Sequence, residues 1–136
     1  MVALSRHVEG HGLGTVWLPI DVVLDEEKAL IVQPDLLFVS NERKRIVKDW
    51  IRGAPDLVID ILSPEPRIGD ANERIGWYAE YGVRECWLVH QDRRDITVIE
   101  FANRRIARRQ VFGARDPVRS TVLPDFARAL HDITNA

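Results

Sequence analysis

Two aspartates stand where a carboxylate is costly to keep. Leu57-Val58-Ile59-Asp60-Ile61-Leu62 is an almost continuously apolar run, the pattern of a strand buried on both faces, and Asp60 is its one ionisable residue. A carboxylate there needs a metal ion, an arginine or a cluster of hydrogen bonds, or else its pKa must rise. Asp35 follows Pro34 and opens a second apolar run that ends at Ser40. If the two runs are neighbouring strands, both carboxylates can face one point, about 4 to 6 Å apart, and hold a divalent cation such as Mg²⁺ or Mn²⁺, with waters completing its shell. Taken alone, Asp35 reads better as an ordinary residue opening a strand or turn. Asp56, in a second Pro-Asp pair, reads as the residue that leads into its strand rather than as a ligand.

The remaining reactive residue types suggest less. Cys86, in Glu85-Cys86-Trp87-Leu88-Val89, has the surroundings of a small core residue. His7 and His11 have the i, i+4 spacing of a helical metal pair but no third ligand, and read as surface residues. His90, at the exit of a strand, is a candidate for the wall of a substrate cleft, whereas His131 stands apart. Trp17, Trp50, Trp77 and Trp87 fit core positions better than base-stacking platforms. No glycine-rich phosphate loop follows a strand. Of 19 basic residues 16 are arginine, and Arg93, Arg94, Arg104, Arg105, Arg108 and Arg109 cluster late in the chain. Arginine clamps phosphate well through its planar fork, but each of these also fits the solvated face of a strand.

The elements that must position these residues follow from the pattern. Residues 3 to 11 read as helix ended by Gly10, Gly12 and Gly14. Thr15 to Pro19 and Ile20 to Leu24 read as one or two short strands, and Ala29 to Gln33 and Asp35 to Ser40 as apolar runs split by Pro34, which marks an edge, a bulge or a break between strands. Asn41 is placed to cap a short helix before the turn Gly53-Ala54-Pro55-Asp56. The strand carrying Asp60 stops at Ser63-Pro64-Glu65-Pro66, and a helix follows from about Asp70 to Tyr81, terminated by Gly82. Val83 to His90 is a further strand. Asp95 to Ala102 and Arg104 to Phe112 form an outer hairpin, Arg119 to Leu123 a last short strand, and Phe126 to Ile133 an amphipathic tail. Strand, helix and strand from Leu57 to His90 predict a parallel crossover inside a mixed sheet.

The bulk properties fit a single domain over residues 1–136. Hydrophobic residues make up 46% and charged residues 29%, an ordinary globular balance. A net charge of −2 excludes nucleic-acid binding by bulk charge alone. No apolar run suits a membrane span or a signal peptide, and one cysteine excludes an internal disulfide, so a cytoplasmic protein is expected.

Three stretches resemble a known family. They are Gln33-Pro34-Asp35-Leu36; Ala54-Pro55-Asp56-Leu57-Val58-Ile59-Asp60-Ile61-Leu62-Ser63-Pro64; and the set of Asp70, Glu73, Arg74, Tyr78, Tyr81-Gly82-Val83 and Glu85-Cys86-Trp87-Leu88-Val89. Together they resemble the putative restriction endonuclease family of the Uma type, in the PD-(D/E)XK nuclease superfamily. The resemblance runs from about Gly14 to Arg109 and loosens after Gln91. It implies a restriction-endonuclease-like α/β fold, a mixed sheet with flanking helices, and a metal-dependent endonuclease acting on DNA. It further implies Asp35 and Asp60 as ligands of Mg²⁺ (or Mn²⁺), and Arg74, four residues before Tyr78, in the place of the catalytic lysine. Arg74 and His90 would contact substrate, and a homodimer would cut two strands. Three departures accompany it. Asp60 replaces the usual glutamate. Arg74 keeps the charge but cannot serve as a base. The upstream glutamate segment is missing, so the N-terminal part is shortened. The alternative is a catalytically impaired nuclease-like domain that binds nucleic acid or protein or scaffolds a dimer, with Asp60 and Arg74 as a buried structural ion pair.

Overall fold

The computed structural model describes residues 2–62 and 70–130. Helix α1, Val2–Gly10, leads into β1, Gly14–Trp17, which pairs antiparallel with β4, Leu36–Ser40. Gly14 is required at this join: a Cβ there would stand 2.1 Å from the carbonyl oxygen of Val39. Next to β4 lies β6, Leu57–Leu62, and beyond it β7, Glu85–His90, parallel to β6. The hairpin of β8, Asp95–Ala102, and β9, Arg105–Gly113, completes a six-stranded mixed sheet in the order β1-β4-β6-β7-β8-β9. The expected crossover is therefore present. Its helix, α2, covers Ala71–Tyr81, opened by a capping box in which Asp70 accepts from Glu73 N at 2.8 Å and Glu73 accepts from Asp70 N at 3.3 Å.

Both faces of the central strands are covered, which is why their sequences are apolar without alternation. One face packs Leu36, Phe38, Ile59 and Trp87 against Leu4 and Val8 of α1 and against Val118, Leu123 and Phe126. The other packs Leu37, Val58, Cys86 and Leu88 against Ile75 and Tyr78 of α2. Cys86 is fully buried, and burial pushes its thiol pKa up, so it is an inert core residue.

Several expectations need correction. The strands do not form one sheet. A second, three-stranded sheet holds β2, Val22–Asp25, between β3, Leu30–Val32, and β5, Ile51–Arg52, with β2 and β5 parallel. Asn41 does not cap the short 3-10 helix Asn41–Ile46; that place falls to Ser40, and Asn41 Nδ2 donates instead to the carbonyl of Gly12 at 2.7 Å. Arg119 to Leu123 forms no strand. It is held by side chains: Glu85 accepts from Thr121 N at 3.2 Å and from the Ser120 hydroxyl. The strand stop at Ser63-Pro64-Glu65-Pro66, His131 and the end of the tail lie outside the described residues. Among the described residues no helix is long and apolar enough to cross a membrane.

Candidate functional site

Asp60 is only 1% exposed, on the face of β6 that α2 covers. Arg74, on the first turns of α2, meets it with two donors: Nε to Oδ2 at 3.1 Å and Nη2 to Oδ1 at 2.8 Å. One helical turn further, the Tyr78 hydroxyl donates to Oδ2 at 2.9 Å and accepts from Arg74 Nη2 at 3.0 Å. The i, i+4 spacing on α2 puts both side chains over one carboxylate. The three groups close a ring of hydrogen bonds in which each oxygen of Asp60 has a donor. Burial works against the charge of Arg74, but the Asp60 carboxylate more than compensates and raises its pKa further. Burial, reinforced by the charge of Asp60, likewise pushes the Tyr78 hydroxyl up, so it stays protonated and remains a donor.

Asp35 lies at the same end of the sheet. β4 and β6 pair with Leu36 opposite Ile59 and Leu37 opposite Val58. Continued one step, that register sets Asp35 opposite Asp60 on the face covered by α2. The Asp35 Oδ2 accepts from Ile61 N at 2.6 Å, so its carboxylate extends the ladder at the exit of β6.

This bond has a counterpart at the other end of the same strand pair. Asp56 leads into β6 and accepts with Oδ2 from Ser40 N, at the exit of β4, also at 2.6 Å. The two Pro-Asp dipeptides therefore do one job reciprocally: each opens its own strand and fastens the end of its neighbour. Asp56 is 1% exposed, with Arg84 Nη1 at 3.3 Å and Arg43 Nε at 3.5 Å from Oδ1. This buried, doubly paired carboxylate is more than a residue leading into a strand. Its arginines come from distant segments, so the sequence holds no local signal for it.

His90 pairs with Leu62 across β6 and β7, so it shares the α2 face with Asp60. It is half-buried, and its Nδ1 stands 3.0 Å from Asp95 Oδ1 but out of hydrogen-bond alignment. Glu85 was not singled out by the sequence. It is fully buried at the start of β7, and burial raises its pKa against the hydrogen bonds from Ser120, Trp87 and Thr121.

Both oxygens of Asp60 are taken by Arg74 and Tyr78, and a guanidinium this close repels a cation. Among the described residues no group of three or more His, Cys, Asp or Glu side chains comes together. In this arrangement the residues do not fit Mg²⁺ or Mn²⁺.

Comparison with known proteins gives the fold and the family. The chain is similar to the crystal structure of a putative nuclease belonging to DUF820 from Anabaena variabilis ATCC 29413, with a TM-score of 0.76 at 17% identity, covering 98% of this chain and 75% of that one. At that identity the likeness shows the fold: a restriction-endonuclease-like mixed α/β architecture. No curated protein matches the chain. The model of the Uma2 family, described as "Putative restriction endonuclease", matches residues 1–131. This chain therefore belongs to the Uma2 putative restriction endonuclease family.

Proposed function

We propose that this chain is a nuclease-fold domain that engages nucleic acid without cutting it, because its candidate centre serves the fold. The observation that carries the reading is the saturation of Asp60 by Arg74 and Tyr78. Removing a lone partner from a buried ion pair costs about 3 to 5 kcal/mol, so Asp60 is not readily surrendered to a cation. Asp35 supports the same reading through its bond to Ile61, which Asp56 duplicates where no catalytic role was expected. A cytoplasmic homodimer belongs to this proposal.

A second reading is favoured by one observation, the register that sets Asp35 opposite Asp60. In it the chain is an endonuclease that hydrolyses phosphodiester bonds of DNA with Mg²⁺ or Mn²⁺ on those two carboxylates, and Arg74 must first leave Asp60. Melting curves with and without each metal, beside a plasmid-nicking assay, separate the two. The first reading expects no nicking and no metal-dependent rise in Tm. The second expects nicking and a metal-dependent rise in Tm, from a stabilisation that approaches about 2.7 kcal/mol at a hundredfold excess over Kd, lost in Asp60→Asn.

A further inference from the structure

The charge of this chain is segregated along its length. From Asp92 to Arg119 eight arginines accompany four carboxylates, whereas the chain as a whole carries a net −2. The excess gathers on β9, the edge strand of the six-stranded sheet, and on the turn that leads into it. Arg104 in the turn and Arg105, Arg108 and Arg109 on β9 are all exposed. Among the described residues only Arg108 of these four has a carboxylate near, Glu100 at 3.8 Å, and its side chain is still 63% exposed. Edge strands often carry charge merely to prevent pairing with other sheets. Four arginines in six residues, three without an ion pair among the described residues, go further.

We infer that the β9 edge is a docking surface for the phosphate backbone of a nucleic acid, an inference that rests on the nucleic-acid reading above. The guanidinium fork donates two parallel hydrogen bonds to phosphate. Arg105 and Arg108, paired with Ala102 and Glu100, lie on one face of the sheet and Arg109, paired with Ile99, on the other, so forks flank the edge on both sides of a backbone laid along it. A second copy of this chain fits less well. Antiparallel pairing of β9 with itself would bring the arginines of the two copies against one another. The edge also stands in register with the candidate site: Asp60 pairs with Leu88, Leu88 with Thr97 and Thr97 with Val111 of β9. Three strand spacings amount to about 14 Å, so a duplex on this edge lies beside the candidate site, whose Asp60 stays buried under α2.

The test is fluorescence anisotropy of a labelled DNA duplex in EDTA, titrated with the protein across a series of NaCl concentrations. Wild type should bind with an affinity that falls steeply with salt. Arg105→Gln/Arg109→Gln should bind more weakly, and its log–log salt slope should drop by about 1.8, from about 0.9 for each phosphate contact removed. Arg6→Gln, exposed on α1, should keep the wild-type slope. Both substituted positions on β9 are exposed, and an unchanged Tm verifies folding. If wild type binds and the double variant keeps its affinity and slope, the β9 surface is refuted while the nucleic-acid reading survives. If wild type does not bind at all, both fall. If the double variant instead alters self-association in sedimentation and wild type ignores DNA, β9 is a contact between copies and the inference is overturned.

Discussion

Replacing Arg74 with alanine tests the central pairing most directly. The substitution removes both guanidinium donors to Asp60, at 3.1 and 2.8 Å, and leaves the Tyr78 hydroxyl as the one described donor to a carboxylate that is 1% exposed. Charge-assisted hydrogen bonds contribute roughly 1.5 to 3 kcal/mol each, and stranding one member of a buried ion pair costs about 3 to 5 kcal/mol. At roughly 3 to 4 °C per kcal/mol for a domain of this size, the fall in Tm is on the order of 10 to 20 °C. Thermal unfolding by circular dichroism, backed by urea titration, measures it. The cost should shrink in the context of Asp60→Asn, because no charge is then stranded. The pair Asp60→Leu/Arg74→Met should lie nearer wild type than Arg74→Ala, since well-packed apolar groups replace buried ion pairs at little cost. Arg74→Lys should fall between, as a lysine keeps the charge but not the fork. An Arg74→Ala variant within about 1 kcal/mol of wild type, or one whose cost is unaltered by Asp60→Asn, would refute the argument that this ring holds α2 to β6.

Tyr78→Phe deletes a donor to Asp60 and an acceptor for Arg74, and should cost about 1 to 3 kcal/mol in urea unfolding without changing the far-ultraviolet spectrum. Asp56→Asn should destabilise at least as much as Asp35→Asn, because Asp56 holds two arginines as well as the Ser40 amide; the reverse order in urea midpoints would contradict the reciprocal roles drawn for the two residues. Glu85 makes stability depend on pH. Burial raises its folded pKa above the unfolded value, so between the two the native state binds more protons and stability declines as pH rises. Relative to Glu85→Gln, wild type should therefore lose stability from about pH 4.5 upward through the folded pKa, and parallel pH profiles of the two proteins would count against it.

The sequence alone determined what depends on neighbours in the chain. Apolar runs marked β4, β6 and β7 as strands, and the unbroken run of β6 marked it as covered on both faces, a requirement that the observed layers of α1 and α2 meet. The helix start near Asp70 and its stop at Gly82 were legible because helix ends are local chemistry; the structure adds the capping box of Asp70 with Glu73. Asp60 stood out because one carboxylate in such a strand must have a partner, and Arg74 entered through the family resemblance, as the residue four before Tyr78. Tertiary structure decided the rest. That Asp35 fastens Ile61 while Asp56 fastens Ser40 depends on the register of β4 against β6, which no short window of sequence contains. The same holds for the second sheet, where β2 and β5 pair in parallel across 29 residues of chain from Val22 to Ile51. It holds also for Glu85, whose polar partners Ser120 and Thr121 arrive from the far end of the protein. Whether a buried carboxylate binds a cation or an arginine turns on which donors reach it first in space. Here α2 delivers Arg74 and Tyr78 to Asp60 together.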